Sequence, residues 1–261
     1  MITLIFFFAY FGFVLMMGML VDLPYLIPLW LLVGPLVGIL MVVIFIIINL
    51  PIFKYTSYTN HYKFYVAKST SKFLNHVLLR LHIEIIGQEN IPKDGLLTIY
   101  ANHKSYADPF IIFEGMTRPM TFTPKMSVYK IPLLHKWLKY LGAFPIDRSS
   151  DRNTAKAMVE AIKVVKTGMG MMIFPEGGIK DRDDEKMVAM RAGAYRVAMK
   201  AEANLLPVSI IGTTQIKKRA PFRATHIKMI IHPLISYESV KDKTTAEIAE
   251  QMFSIINNKL E

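Results

Sequence analysis

Seven residues, Asn102-His103-Lys104-Ser105-Tyr106-Ala107-Asp108, place an imidazole and a carboxylate five positions apart. On one helix these side chains would diverge by about 140°, five steps of about 100°. They can meet only if the His lies on a turn and the Asp opens the next helix. Asp108-Pro109 suits a helix start, with Asp as the cap and Pro at the first helical position. So paired, His103 would take a proton from a substrate hydroxyl, while Asp108 fixed its tautomer and stabilised the imidazolium. The plainer alternative makes Asp108 only a cap and His103 only a polar turn residue.

A second set, Phe174-Pro175-Glu176-Gly177-Gly178, closes the apolar run Met171–Phe174. In an open α/β sheet, ligands bind beyond the carboxyl ends of the strands. Gly177 and Gly178 would let backbone approach a ligand closely, and Glu176 would offer an acceptor for hydroxyl groups. The blander account is a solvated Glu at a strand-to-turn junction. A third set, Gly142-Ala143-Phe144-Pro145-Ile146-Asp147-Arg148, puts Arg148 just past a short apolar strand. There it would clamp a phosphate in bidentate fashion, or pair with a nearby acid. A fourth, Leu205-Leu206-Pro207-Val208-Ser209-Ile210, reads as a core strand whose Pro207 marks an edge or a substrate-facing end. The chain has no cysteine, which excludes disulfides, thiolate metal sites and a Cys nucleophile. His226 and His232 share a strand parity and read as a surface pair. No His spacing suggests a metal site, and none is expected.

These sets need elements to hold them. Strands are expected at Leu81–Ile86, Leu96–Tyr100, Thr121–Thr123, Ala143–Ile146, Met171–Phe174, Leu206–Ile211 and Thr225–His232. Helical spacing runs through His61–Leu81, through Ala155, Met158, Ile162 and Val165, and over Val188–Ala203 and Thr245–Leu260. The alternation argues an α/β fold: a mainly parallel sheet flanked by helices. The first of these helices either lies along a membrane surface or packs on the body.

The 261-residue chain is 52% hydrophobic and carries a formal net charge of +11. The charge is unevenly placed. Residues 1–53 hold one acid, Asp22, and no Lys or Arg, so all 31 basic residues lie beyond them. Ile2–Val21 and Leu23–Phe53 are charge-free, and the first would make a helix about 30 Å long, the thickness of a bilayer core. Pro24, Pro28, Pro35 and Gly34 argue against one straight helix over the second run and leave Leu36–Leu50 as its regular stretch. The expected organisation is an apolar helical hairpin over 1–54, anchoring an α/β domain over 55–261 to a membrane. Lys54, Lys63, Lys68 and Lys72 follow the hairpin, which places the body on the cytoplasmic side of the cell membrane. Hydropathy does not separate a full crossing from a hairpin within one leaflet. An apolar head on a basic body suits an anionic phospholipid surface rather than nucleic acid. The run Lys217-Lys218-Arg219 would dock an acidic carrier protein or anionic lipid, or be a solvated loop.

The four sets occur in one order, each at or near a strand end. From about Leu81 to Gly212 the chain resembles the glycerolipid acyltransferases. His-x4-Asp and Phe-Pro-Glu-Gly in combination carry the resemblance, and the hairpin resembles that family's membrane anchor. The resemblance implies acyl transfer from a thioester of acyl carrier protein or coenzyme A, as co-substrate, with no bound cofactor. By length it points to members that acylate the free hydroxyl of 1-acylglycerol 3-phosphate (lysophosphatidic acid), giving phosphatidic acid. It implies that His103 is the catalytic base, Asp108 its partner, and Arg148 a ligand of the acceptor phosphate. Glu176, Gly177 and Gly178 would shape the acceptor site, Pro207 would lie nearer the acyl donor, and Lys125, in Thr123-Pro124-Lys125, resembles a further phosphate-binding Lys. The family's third block commonly continues Thr-Arg-Ser after its Gly. Here Ile179 replaces the Arg, and Lys180 or Arg182 would supply the charge. Direct transfer needs no covalent acyl-enzyme, and Ser105 is the alternative nucleophile. Backbone N–H groups near Gly177 would hold the oxyanion. Other readings are the same chemistry on another lysophospholipid or on glycerol 3-phosphate, a lipid hydrolase, and a non-catalytic lipid-binding protein.

Overall fold

The charge-free head forms two helices, α1 (Ile2–Leu20) and α2 (Ile27–Tyr55), joined through a 3-10 turn at Pro24–Leu26. The computed structural model describes residues 1–21, 23–145, 151–179, 183–187 and 190–260. α2 runs unbroken through Pro35 and Pro51, which corrects the expectation that regular helix is confined to Leu36–Leu50. Pro35 has no N–H for the carbonyl four residues back, that of Leu31. Tyr10 of α1 donates its hydroxyl to that oxygen at 3.3 Å. The helices approach closely at two glycines. A Cβ on Gly34 would collide with the Tyr10 ring, and one on Gly38 would lie 2.7 Å from Phe6 Cδ2. Phe8, Phe11, Leu32, Leu36 and Ile48 point outward and are exposed. Both helices are long and apolar enough to cross a membrane.

Met1–Thr56 is one compact unit and Ser57–Glu261 the other. The second is built on a six-stranded sheet of β1 (Leu81–Ile86), β2 (Leu97–Ala101), β3 (Met120–Phe122), β4 (Gly170–Ile173), β5 (Asn204–Ile211) and β6 (Thr225–Ile231), in the order β1-β6-β5-β2-β4-β3. Four of the five pairings are parallel; β5 and β6 are antiparallel. The starts of β1 and β6 therefore share one edge of the sheet with the carboxyl ends of β2, β3, β4 and β5. Every residue of β2 is buried, as expected of a central strand with helices on both faces. Short helices α5 (Met126–Tyr129) and α6 (Leu134–Tyr140) follow β3. One face of the sheet is covered by α7 (Asp151–Lys166), α8 (Arg196–Ala201) and α10 (Thr245–Asn257). There Met171, Val165, Ala161 and Val197 form one apolar cluster, and Tyr100, Tyr195, Leu205 and Met252 another. The other face is covered by α3 (His61–Lys72) and α4 (Asp108–Gly115).

Three expected elements differ. Ala143–Pro145 is irregular chain rather than a strand. The 188–203 helix is reduced to a 3-10 turn at Ala192–Tyr195 followed by α8, with Val188 and Ala189 outside the described residues. The His61–Leu81 helix ends in a π-turn at Phe73–Leu78, and Arg80, at φ 54°, turns the chain so that Leu81 starts β1. α3 packs on the body through Phe64 against Phe113.

The π-turn is tied to α4 by a polar link in which Glu114 is buried and His76 half-exposed. Asn75 donates to Glu114 at 2.9 Å, and His76 Nε2 lies 2.7 Å from the same carboxylate. His76 Nδ1 lies 2.8 Å from the Leu81 carbonyl. Both ring nitrogens face acceptors, an arrangement that the doubly protonated ring satisfies. The hydrogen bond to Glu114 raises the His76 pKa. Burial pushes Glu114 upward, but hydrogen bonds from His76 and Asn75 leave it below the usual carboxylate range. A raised His pKa means stability that is complete below the unfolded value, about 6.5, and lost as pH rises through the folded one. The lowered Glu114 pKa means stability lost only as pH falls through that lower value. We expect His76→Gln to destabilise the protein at about pH 6 and to differ little from wild type at about pH 9. Denaturant midpoints of detergent-solubilised protein at the two pH values provide the check, and an unchanged gap would contradict the link.

Candidate active site

β2 ends at Ala101, and the next six residues fold into a tight loop before α4. Asn102 pins its start: its amide donates to the Ile210 carbonyl at 2.8 Å and accepts from the Ile210 N–H at 2.8 Å. Asp108 pins its end. The expectation that Asp108 caps α4 is corrected, because Ala107 holds the cap position. The Asp108 side chain turns back instead. Its Oδ2 accepts from Lys104 N at 2.7 Å, from Ser105 N at 2.8 Å and from His103 Nδ1 at 2.9 Å. A carboxylate accepts only, so His103 carries its proton on Nδ1, and Nε2 is left with a lone pair. The His103 ring stacks on Phe174, centroids 4.0 Å apart, and is 15% exposed while Asp108 is fully buried. Ser105 Oγ accepts from Ala107 N at 3.2 Å and is folded into its own loop.

Glu176 is fully buried. Its Oε1 accepts the His103 backbone N–H at 2.7 Å, and its Oε2 lies 3.5 Å from Lys104 Nζ, also fully buried. The expected role as an acceptor for substrate hydroxyls gives way to an internal one: Glu176 fixes the backbone that carries the imidazole. Gly177 adopts φ 74°, and an added Cβ would lie 2.7 Å from Arg191 Nε. Its own N–H bonds to the Phe174 carbonyl at 3.1 Å and closes a turn. Pro207 is a buried residue of β5, opposite Tyr100 of β2. The expectation of an edge is corrected: β5 lies between β6 and β2. The position tolerates proline because the β5–β6 ladder begins only at Val208, so Pro207 faces the irregular segment 232–235. His226 is exposed and stacks on His82 at 5.1 Å, whereas His232 is buried against Ser209 at 2.8 Å, so the two do not form a surface pair.

A cavity of about 460 Å³ opens beside the imidazole. His103, Lys125 and Gly178 line it together with Phe110, Trp137, Phe174 and Ile179. Lys125, just after β3, is exposed at this cavity. Arg148, Lys180 and Arg182 lie outside the described residues. No cluster of His, Asp or Glu suited to a metal ion occurs among the described residues. Sequence reasoning missed Asn102 and Lys104. A Lys on a polar turn reads as solvated, and only its place between His103 and Asp108 hinted otherwise.

An imidazole held by a buried carboxylate at the carboxyl end of a strand, facing an apolar cavity, defines an α/β enzyme for base-assisted group transfer. A family model described as Acyltransferase matches residues 82–211. The 1-acyl-sn-glycerol-3-phosphate acyltransferase of Borreliella burgdorferi is 32% identical over 181 residues, 67% of this chain and 72% of that protein. The chain belongs to this acyltransferase family. A 1-acyl-sn-glycerol-3-phosphate acyltransferase from Chlamydomonas reinhardtii is 30% identical over 58% of this chain, which spans 46% of that relative's length. The crystal structure of the 1-acyl-sn-glycerophosphate (LPA) acyltransferase PlsC from Thermotoga maritima shares the fold, with TM-score 0.63 and 22% identity over 99% of this chain and 93% of that one.

The buried Lys104–Glu176 pair sets a stability test. Glu176→Gln keeps an oxygen for the His103 N–H but removes the carboxylate beside a buried ammonium, which costs about 3 kcal/mol. Adding Lys104→Met should recover most of that loss. A double variant no more stable than Glu176→Gln, in denaturant unfolding, would contradict the pairing.

Proposed function

We propose that this chain transfers a fatty acyl group from an acyl thioester to the free hydroxyl of 1-acylglycerol 3-phosphate, giving phosphatidic acid. The observation that carries this reading is the His103–Asp108 pair at the mouth of a largely apolar cavity, with Lys125 lining the same space. The named relatives supply the acceptor. Lys125 binds the acceptor phosphate, joined by Arg148 and Lys180. The cavity's aromatic and aliphatic lining suits an acyl chain. Ile179 in its wall makes apolar a position where the family pattern has Arg.

The hydroxyl oxygen attacks the thioester carbonyl carbon while its proton passes to His103 Nε2. Asp108 stabilises the imidazolium through Nδ1–H. The tetrahedral intermediate collapses with cleavage of the C–S bond, and the thiolate leaves with the proton returned by His103. No covalent acyl-enzyme forms, and no cofactor is required. The donor is a thioester of acyl carrier protein or coenzyme A. The apolar hairpin holds the protein to the cell membrane, with the α/β unit on the cytoplasmic side.

The test is product formation. Membranes containing the protein receive lysophosphatidic acid and either thioester, and lipids are read by mass spectrometry. Wild type should form phosphatidic acid and His103→Ala none. Asp108→Asn should lose on the order of 10³–10⁴ in turnover, because the amide cannot hold the required tautomer. Free fatty acid without phosphatidic acid would indicate a hydrolase, and glycerol 3-phosphate as the sole productive acceptor would reassign the substrate.

A further inference from the structure

The reversal of β1 and β6 brings a second feature to the edge of the sheet where His103 sits. β5 leaves that edge at Ile211, and the chain returns to start β6 at Thr225. Between them, Gly212–Ala224 contains Lys217, Lys218, Arg219 and Arg223 and no acid. Its short helix α9 (Ile216–Arg219) is anchored inward by buried Ile216. The remainder is held by three hydrogen bonds: Arg80 donates to the Phe222 carbonyl at 2.8 Å, Arg219 Nε to the Ala224 carbonyl at 2.8 Å, and Arg223 N to the Arg219 carbonyl at 2.8 Å. On this loop Phe222 is 85% exposed, more than any other large apolar side chain among the described residues. Lys217, Lys218, Arg219 and Arg223 of the same loop are exposed, with Lys218 3.1 Å from exposed Asp183. β6 lies two strands from β2, about 10 Å across the sheet.

We propose that the loop 216–223 docks this edge of the α/β unit on anionic phospholipid, with Phe222 entering the headgroup layer and the loop's cations on lipid phosphates. An exposed aromatic ring on a loop rich in exposed Lys and Arg is a pattern that an anionic bilayer surface stabilises. Charge alone would serve an acidic protein equally well. The bare ring favours lipid, because it gains only where it can leave water. The contact is additional to the apolar hairpin and lies on the unit that carries the site, so it would turn the cavity toward the acceptor's own layer. The inference rests on the reading that the acceptor is a membrane lipid.

Because the chain has no cysteine, one introduced thiol is a unique labelling position. Full-length Phe222→Cys carries a spin label, with Lys93→Cys as the control, since Lys93 is exposed and precedes β2 at the opposite edge. Both are placed in phosphatidylcholine bilayers with and without phosphatidylglycerol, and label access to oxygen and to a water-soluble nickel complex is compared. In phosphatidylglycerol bilayers the label at 222 should favour oxygen and the label at 93 the nickel complex. Changing Lys217, Lys218 and Arg219 to Gln should raise nickel access at 222 severalfold. A label at 222 as water-accessible as that at 93 overturns the proposal. If the triple variant then loses turnover with the carrier-protein thioester alone, the loop is assigned to a protein donor. Phosphatidic acid is measured on the same samples. Product with a water-exposed label overturns the docking only; an immersed label without product overturns the acceptor reading only.

Discussion

One oxygen, Asp108 Oδ2, organises the site. It receives three N–H donors: two from the backbone of its own loop and one from the His103 ring. The backbone pair fixes the loop, and the ring contact fixes the tautomer. The carboxylate is out of water, so these bonds meet no competition from solvent. A second buried carboxylate, Glu176, reaches the same loop from the end of β4 and holds the His103 backbone. The imidazole is thus gripped from two strands, with the face of Phe174 as a third support. A base on a turn between strand and helix gains by this means the fixity that it would have on a strand.

The sheet explains how these groups converge. β2 and β4 are adjacent and parallel, so the turns that follow them emerge side by side at one edge. β3 runs parallel to β4 and delivers Lys125 to that edge as well. Asn102 ties the end of β2 to β5 through both its amide groups, which keeps the central strands in register where the chemistry begins. The turns after β2, β3 and β4, far apart in sequence, become neighbours through parallel pairing.

Much of this was legible in the residues. β1 spans Leu81–Ile86 as its alternation and β-branched content predict, and α7 spans the apolar spacing that ends before Gly168. The five-residue step from His103 to Asp108 correctly demanded a turn followed by a helix start. What stayed hidden depended on partners distant in sequence. The α2 helix persists through Pro35 while another helix supplies a donor at Leu31. Glu176 reads as a ligand group until the buried Lys104 and the His103 N–H are seen around it. Pro207 suggests an edge, but the interruption that accommodates it lies in the neighbouring strand. Ala143–Pro145 has the apolar character of a strand and finds no partner in the sheet. In each case single-sequence rules describe the residue correctly and its surroundings not at all.

The bond from Tyr10 to the Leu31 carbonyl has a meaning of its own for the hairpin. In hydrocarbon a carbonyl released by proline has no water to turn to. Here the defect created in one helix is a socket, and the other helix carries the plug. With Tyr10 also seated over Gly34, one turn away, polar and steric cues coincide at a single level of the hairpin. Sliding one helix past the other by a turn would forfeit both together. The proline that looked like a break therefore works as a registration mark, letting two nearly featureless apolar helices find one alignment among many.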